Sequence, residues 1–240
     1  MGDNDTFKVK NLNVSYGDIQ VLWDINFEVK KGEIIAIVGG NGAGKTTIVK
    51  AISGLVKPMA GTSIQYDGAE LAGHSCRTYI SHGVIHVPKG RQLFRDMTIM
   101  ENLEIGASSK EAKLKKKETM EKIFERFPKL KERMNQDAGT LSGGEQQMVA
   151  FARGMMGLPR LLMMDEPSLG LAPNIVDNIL AITTEVAKSG ITVILVEQDV
   201  RKALRIANRG YVLENGVISI TGTAQELLNN PDAKKAYLGF

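Results

Sequence analysis

Ile34-Ile35-Ala36-Ile37-Val38-Gly39-Gly40-Asn41-Gly42-Ala43-Gly44-Lys45-Thr46 is the stretch on which the fold turns. Its first five residues are continuously apolar and mostly β-branched, the mark of a strand buried on both faces. The last eight fit the phosphate-loop pattern G-x-x-x-x-G-K-[ST]. Helical periodicity follows from Gly44 to near Gly54. Glycines let backbone N–H groups converge on an anion, and the helix start adds a positive dipole end. Gly39, Gly40, Asn41, Gly42, Ala43, Gly44, Lys45, Thr46 and Thr47 are therefore candidate nucleotide-binding residues. Lys45 is expected to reach the β- and γ-phosphates, and the Thr46 hydroxyl to bind magnesium.

Working outward, the downstream chain alternates strand and helix. A strand at Val84–Val87 comes first, and later a helix at Gly144–Met156, a strand at Leu161–Met164 and a helix at Ile175–Ser189. The pattern closes with a strand at Thr192–Val196 and a helix at Val200–Ala207. Such alternation predicts a parallel sheet flanked by helices, an α/β fold. Upstream, Phe7–Val14 and Ile25–Val29 alternate apolar and polar residues, as half-buried strands do. Gly210–Leu213 and Val217–Ile220, joined through Glu214-Asn215-Gly216, read as a hairpin with an Asn-Gly turn. Between about Thr98 and Met134 the texture is charged, with Leu114, Met120, Ile123, Phe124 and Phe127 at helical spacing. That stretch reads as a helical insertion.

Two further motifs carry chemistry. The strand Leu161-Leu162-Met163-Met164 ends in Asp165-Glu166, and ligands of open α/β sheets bind at the carboxyl ends of strands. Asp165 suits the outer shell of magnesium, and Glu166 suits the water that attacks a γ-phosphate. Leu141-Ser142-Gly143-Gly144-Glu145 contains a capping box, Ser142 with Glu145, that opens a helix. Two consecutive glycines at that start are costly for helix formation, yet they open backbone N–H groups to an anion.

Leu141-Ser142-Gly143-Gly144-Glu145-Gln146-Gln147 resembles the LSGGQ signature of ABC-type ATPases, and the resemblance runs over nearly the whole chain. It implies a P-loop NTPase of ABC-ATPase type: a mixed sheet core, an antiparallel β subdomain and a helical subdomain at about residues 90 to 155. Residues 1–240 are then one ATPase domain that binds ATP and Mg²⁺. The resemblance also implies that two cassettes, identical or paralogous, pack head to tail. Ser142, Gly143 and Gly144 of each would cover the ATP held by the other. Tyr16 matches the aromatic that stacks on adenine, and Ser168-Leu169-Gly170-Leu171 matches a loop that touches the opposing cassette.

The segments VPKGRQLF, LSGGEQQM, LLMMDEPSLGLAP, ILVEQD, GYVLENG and a terminal AYLG look like the smaller ATPase of branched-chain amino-acid importers. Urea, short amides or a lipid remain alternative solutes, because this type of subunit does not touch its cargo. The implied partners are transmembrane permease subunits and, through them, a solute-binding protein. The implied place is the cytoplasmic face of the cell membrane. An ABC ATPase of translation or DNA repair would usually carry two cassettes or a long coiled coil, and neither pattern is seen in this sequence.

Three positions depart from the common pattern. Gly40 replaces a proline or alanine. Gln198 stands where most relatives have a histidine that contacts the γ-phosphate, so it is a candidate catalytic residue alongside Glu166 and Lys45. Lys89 replaces a glutamine or glutamate that senses magnesium and the attacking water. An ammonium has no acceptor to offer a metal. Two outcomes follow: the favoured one is that Lys89 leaves the cleft, toward a permease contact or an acid such as Glu101, and the other is that it reaches the γ-phosphate as an additional cation.

Composition narrows the remaining classes. The chain has 240 residues, 43% hydrophobic and 24% charged, with net charge +3. That balance is too even for a nucleic-acid footprint, and Lys113–Lys117 reads as a solvated helix face. No stretch approaches the roughly 18 to 20 apolar residues that span a bilayer. A single Cys76 fits a reducing compartment, and His74, His82 and His86 show no metal-ligand spacing with it. Met163 and Met164 read as core.

Overall fold

A computed structural model describes residues 6–229. The AYLG motif, Ala236–Gly239, lies outside the described residues. The central strand β3 (Ile34–Val38) is buried at all five positions, as its unbroken apolar run requires. It lies between β8 (Thr192–Glu197) and β9 (Arg209–Glu214), parallel to both. The sheet continues through β7 (Leu161–Asp165) and β6 (Val84–Val87) on one side and ends with β10 (Val217–Thr223) on the other. Only β10 is antiparallel, joined to β9 through Asn215 and Gly216, both at positive φ as a tight hairpin turn demands.

Period-two alternation assigns each strand's side chains to two cores. Ile35, Ile37, Met163, Ile194 and Val196 face one apolar cluster. Ala36, Val38, Leu162, Met164 and Leu195 face the other. The first cluster is closed by α1 (Lys45–Ala51) and by an antiparallel sheet of order β2-β1-β4-β5. Its strands are β1 (Phe7–Tyr16), β2 (Ile19–Val29), β4 (Ser63–Tyr66) and β5 (Ala69–Glu70). The second cluster is closed by α8 (Pro173–Lys188), α9 (Val200–Ile206) and α7 (Gly143–Met155).

The inserted segment between β6 and α7 forms four short helices, α3 (Ile99–Gly106), α4 (Lys110–Leu114), α5 (Lys116–Arg126) and α6 (Pro128–Glu132). Met120, Ile123, Phe124 and Phe127 pack into the second core, and Lys113–Lys117 lies at the surface. Leu114 corrects the expectation drawn from spacing, because it is 80% exposed. The helix breaks at Lys115, so the apolar stripe does not continue from α4 into α5. Thr98 and Glu101 form a capping box at the start of α3, which commits Glu101 to its own helix. Among the described residues, β4, β5, α2 (Cys76–Ser81), α10 (Ala224–Asn229) and a 3-10 turn at Ala138–Thr140 escaped the sequence reading. β1 and β2 also run closer together than expected, turning at Gly17.

Candidate nucleotide site

The carboxyl ends of β3, β7 and β8 bring the phosphate loop, Asp165-Glu166 and Gln198 to one edge of the sheet. Two of the loop glycines are sterically required. A Cβ on Gly39 would fall 2.3 Å from the Leu213 carbonyl oxygen, and one on Gly44 would fall 2.7 Å from Leu22. Gly44 also adopts φ 109° as it opens α1. Gly40 has open space around it, so its departure from the common proline or alanine answers no steric need. The Gly216 N–H donates to the Ala43 carbonyl at 2.9 Å, which ties the loop to the β9–β10 turn.

Lys45 is 4% exposed, and its ammonium donates to the carbonyls of Gly39 and Gly40, each at 2.9 Å. It also lies 3.2 Å from Glu166 Oε1. The Thr46 hydroxyl bonds the Asp165 carboxylate, whereas Thr47 is buried one position on. Burial pushes the Asp165 carboxyl above its usual range, with the Glu166 charge adding to the rise and the Thr46 bond opposing it. Asp165 Oδ1 is buried without a hydrogen-bond partner. Thr46 and Asp165 therefore offer a hydroxyl and a spare carboxylate oxygen side by side, a donor set that fits a hard, oxygen-seeking cation such as Mg²⁺.

Glu166 is 5% exposed and holds φ 45°, an uncommon backbone conformation for a non-glycine residue. Burial pushes its carboxyl up, but Lys89 and Lys45 outweigh that and hold it below the ordinary range. The Lys89 ammonium lies 2.6 Å from Oε2. Both lysine contacts are ion pairs by distance; Oε2 has no partner with directed hydrogen-bond geometry. This overturns the expectation that Lys89 leaves the cleft. An ammonium with no acceptor for a metal still pairs with an anion, and Glu166 supplies one. Here two buried carboxylates side by side, Asp165 and Glu166, balance two ammonium groups.

The loop carrying Lys89 is held from the far side. Arg91 and Gln92 both take positive φ, and Arg153 of α7 donates to their carbonyls at 3.1 and 2.8 Å. Nothing in the sequence marks Arg153 for this contact, which spans 61 residues or more.

Ser142 accepts the Glu145 N–H, and the Glu145 carboxylate accepts the Ser142 N–H at 2.9 Å, so the expected capping box is in place. A Cβ on Gly143 would meet the Arg91 guanidinium at 3.1 Å, and one on Gly144 would meet Ile175 at 3.1 Å. The neighbours of these glycines thus differ from those of Gly39 and Gly44. Tyr16 ends β1 and is 46% exposed. Gln198 follows β8 and is exposed.

Glu197, just before it, was missed. It is 2% exposed and accepts from both the N–H and the hydroxyl of Ser168, at 3.0 and 2.9 Å. The signal was available in Val193-Ile194-Leu195-Val196-Glu197, a buried apolar strand ending in an acid just as β7 does.

The sequence pattern of the ABC transporter family matches residues 22–169. The chain belongs to that family. Two relatives and one structure locate this ABC ATPase further. It is 47% identical to the high-affinity branched-chain amino acid transport ATP-binding protein BraG of Pseudomonas aeruginosa, over 93% of this chain and 95% of that protein. It is 35% identical to the probable branched-chain amino acid transport ATP-binding protein LivF of Archaeoglobus fulgidus, over 95% and 97% of the two chains. Its fold superposes on the ADP conformation of an ATP-binding cassette of an ABC transporter with TM-score 0.83 and 27% identity, covering 98% of each chain. The ABC-ATPase fold expected from the sequence is thereby shown, and with it ATP hydrolysis as the activity.

Proposed function

We propose that this ABC ATPase powers import of branched-chain amino acids, as one of two cassettes beneath a membrane-spanning permease. The observation that carries the reading is 47% identity to BraG sustained over 93% of the chain, far beyond the nucleotide motifs. Residues 1–240 act as one ATPase domain, with the segment at about 90 to 155 as its helical arm. No helix among the described residues is long and apolar enough to cross a membrane. An apolar groove of about 390 Å³ supports a contact with the permease, with Leu55, Ile80, Phe94 and Ile105 along it. The chain would sit on the cytoplasmic face, reaching a solute-binding protein only through the permease.

In this reading Lys45 and the backbone N–H groups from Gly39 to Thr47 hold the phosphates, and Tyr16 stacks on the adenine. Thr46 and Asp165 hold magnesium, which when bound neutralises phosphate charge. Glu166 orients the attacking water and accepts its proton. It does so only after its ion pairs loosen, and Lys45 has phosphate as its alternative partner. Gln198 donates a hydrogen bond from its amide to the γ-phosphate. Ser142, Gly143 and Gly144 of the opposing cassette complete the site.

The test is ATP-driven uptake by the intact complex, purified through this subunit and reconstituted in proteoliposomes. Labelled leucine, isoleucine and valine should accumulate and compete with one another. Accumulation of urea or short amides without leucine would overturn the assignment of solute.

A further inference from the structure

The mechanism above leaves Glu197 without a task, although it is a buried acid at the edge of the site. Buried carboxylates persist where donors converge on them. Two of the donors here come from one residue: the Ser168 N–H reaches Oε1 and the Ser168 hydroxyl reaches Oε2. The Gln198 N–H lies against the same carboxylate. Burial pushes the Glu197 carboxyl up, and the Ser168 and Gln198 bonds oppose the rise.

Its position gives the contact meaning. Glu197 pairs across the sheet with Val38, the last residue before the phosphate loop. Its neighbour Val196 pairs with Asp165 and accepts the Glu166 N–H at 2.8 Å. The loop beyond Glu166 is otherwise tied locally, by Leu169 N–H to the Glu166 carbonyl and Leu171 N–H to the Ser168 carbonyl, each at 3.2 Å. Leu169, next to the gripped serine, is 48% exposed. A single hydrogen bond leaves a hinge, whereas two bonds onto two oxygens fix position and direction together.

We propose that Glu197 is a positioning residue that locks the loop Ser168–Leu171 to the base of Gln198, so that the loop and the phosphate-sensing side chain move as one body. The inference rests on the two-cassette reading, in which that loop faces the opposing chain. Both oxygens of Glu197 are engaged by Ser168, so proton transfer stays with Glu166. A displacement of the loop by the opposing cassette is then felt at Gln198 through one carboxylate.

Two replacements separate positioning from packing. Glu197→Met fills similar volume without an acceptor. Glu197→Gln can accept the Ser168 N–H and donate to its hydroxyl. In the nucleotide-free full-length chain, amide exchange across residues 168–171 should rise about tenfold in Glu197→Met and return near wild type in Glu197→Gln. Turnover should follow the same order, with kcat down about tenfold in Glu197→Met and the KM for ATP nearly unchanged. Ser168→Ala, which removes one bond of the two, should give an intermediate exchange rate whether or not Glu197→Met folds well. Wild-type exchange in both Glu197→Met and Ser168→Ala would overturn the clamp, as would a loss confined to KM. ATP-dependent pairing of Glu166→Gln chains is measured alongside. If they fail to pair, the two-cassette reading fails, while exchange in the nucleotide-free chain still judges the clamp.

Discussion

Two glycine-rich loops lie in this chain, each proposed as an anion cradle, and they are built in opposite ways. The one after β3 is locked by backbone: a side chain at Gly39 would strike the Leu213 carbonyl, and Lys45 is wholly enclosed. The one before α7 is presented rather than enclosed. Ser142 is exposed and capped by its own Glu145, and Gly143 faces the movable end of Arg91. A cradle completed inside the fold can hold a ligand alone. A cradle held open on a capped helix start is suited to a ligand brought by another chain.

The largest effect that would break this contrast concerns the buried edge. Glu166→Gln should lower turnover by about a thousandfold while nucleotide affinity is retained, since the amide cannot accept the water's proton. Single-turnover hydrolysis beside equilibrium ATP binding measures both; near-wild-type hydrolysis would remove Glu166 from its role.

Next, the two cradles should respond unequally to one added methyl group. Gly39→Ala should weaken ATP binding to the isolated chain by more than about tenfold, because backbone must move. Gly143→Ala should leave that affinity within about twofold, because a flexible arginine end can yield. Calorimetry on both variants decides the matter, and equal losses would mean the cradles act on the same bound nucleotide within one chain.

Lys89 offers a smaller and subtler test. Its ammonium holds the carboxylate proposed to engage water, so Lys89→Gln should raise turnover of the isolated chain about five- to tenfold, the worth of a partly exposed ion pair of about 1 kcal/mol. Magnesium-dependent ATPase assays of Lys89→Gln and Lys89→Glu check this. Lower activity in both would make Lys89 a working cation of the site.

The smallest effect sharpens the exposed half. Ser142→Ala should cost about 1 kcal/mol of stability through loss of the helix cap, seen as a fall of about 2–4 °C in Tm. Its ATP affinity as a single chain should not change.

The same contrast explains what could be read in advance. The phosphate loop, the Asp165-Glu166 step and the capping box are local: each is spelled in adjacent residues, and each lies where local rules place it. The missed strand β4 has only Ile64 and Tyr66 to alternate, and its partner in β1 lies more than fifty residues away, Lys8 against Gln65. Leu114 was misjudged because a break at Lys115 resets the helical phase, which spacing alone does not reveal.

By itself, the sequence determined the parallel core, the two glycine-rich starts and the acids at the end of β7. Hydrophobic period, glycine placement and capping pairs act within a few residues, so they can be read from neighbours along the chain. Tertiary structure alone decided that Lys89 joins Lys45 on Glu166, that Arg153 holds the loop beneath Lys89, and that Ser168 grips Glu197. Those partners are 29 to 77 residues apart for Ser168–Glu197 and Lys89–Glu166. Their meeting depends on which strands the sheet sets side by side and on the cost of leaving a buried charge alone.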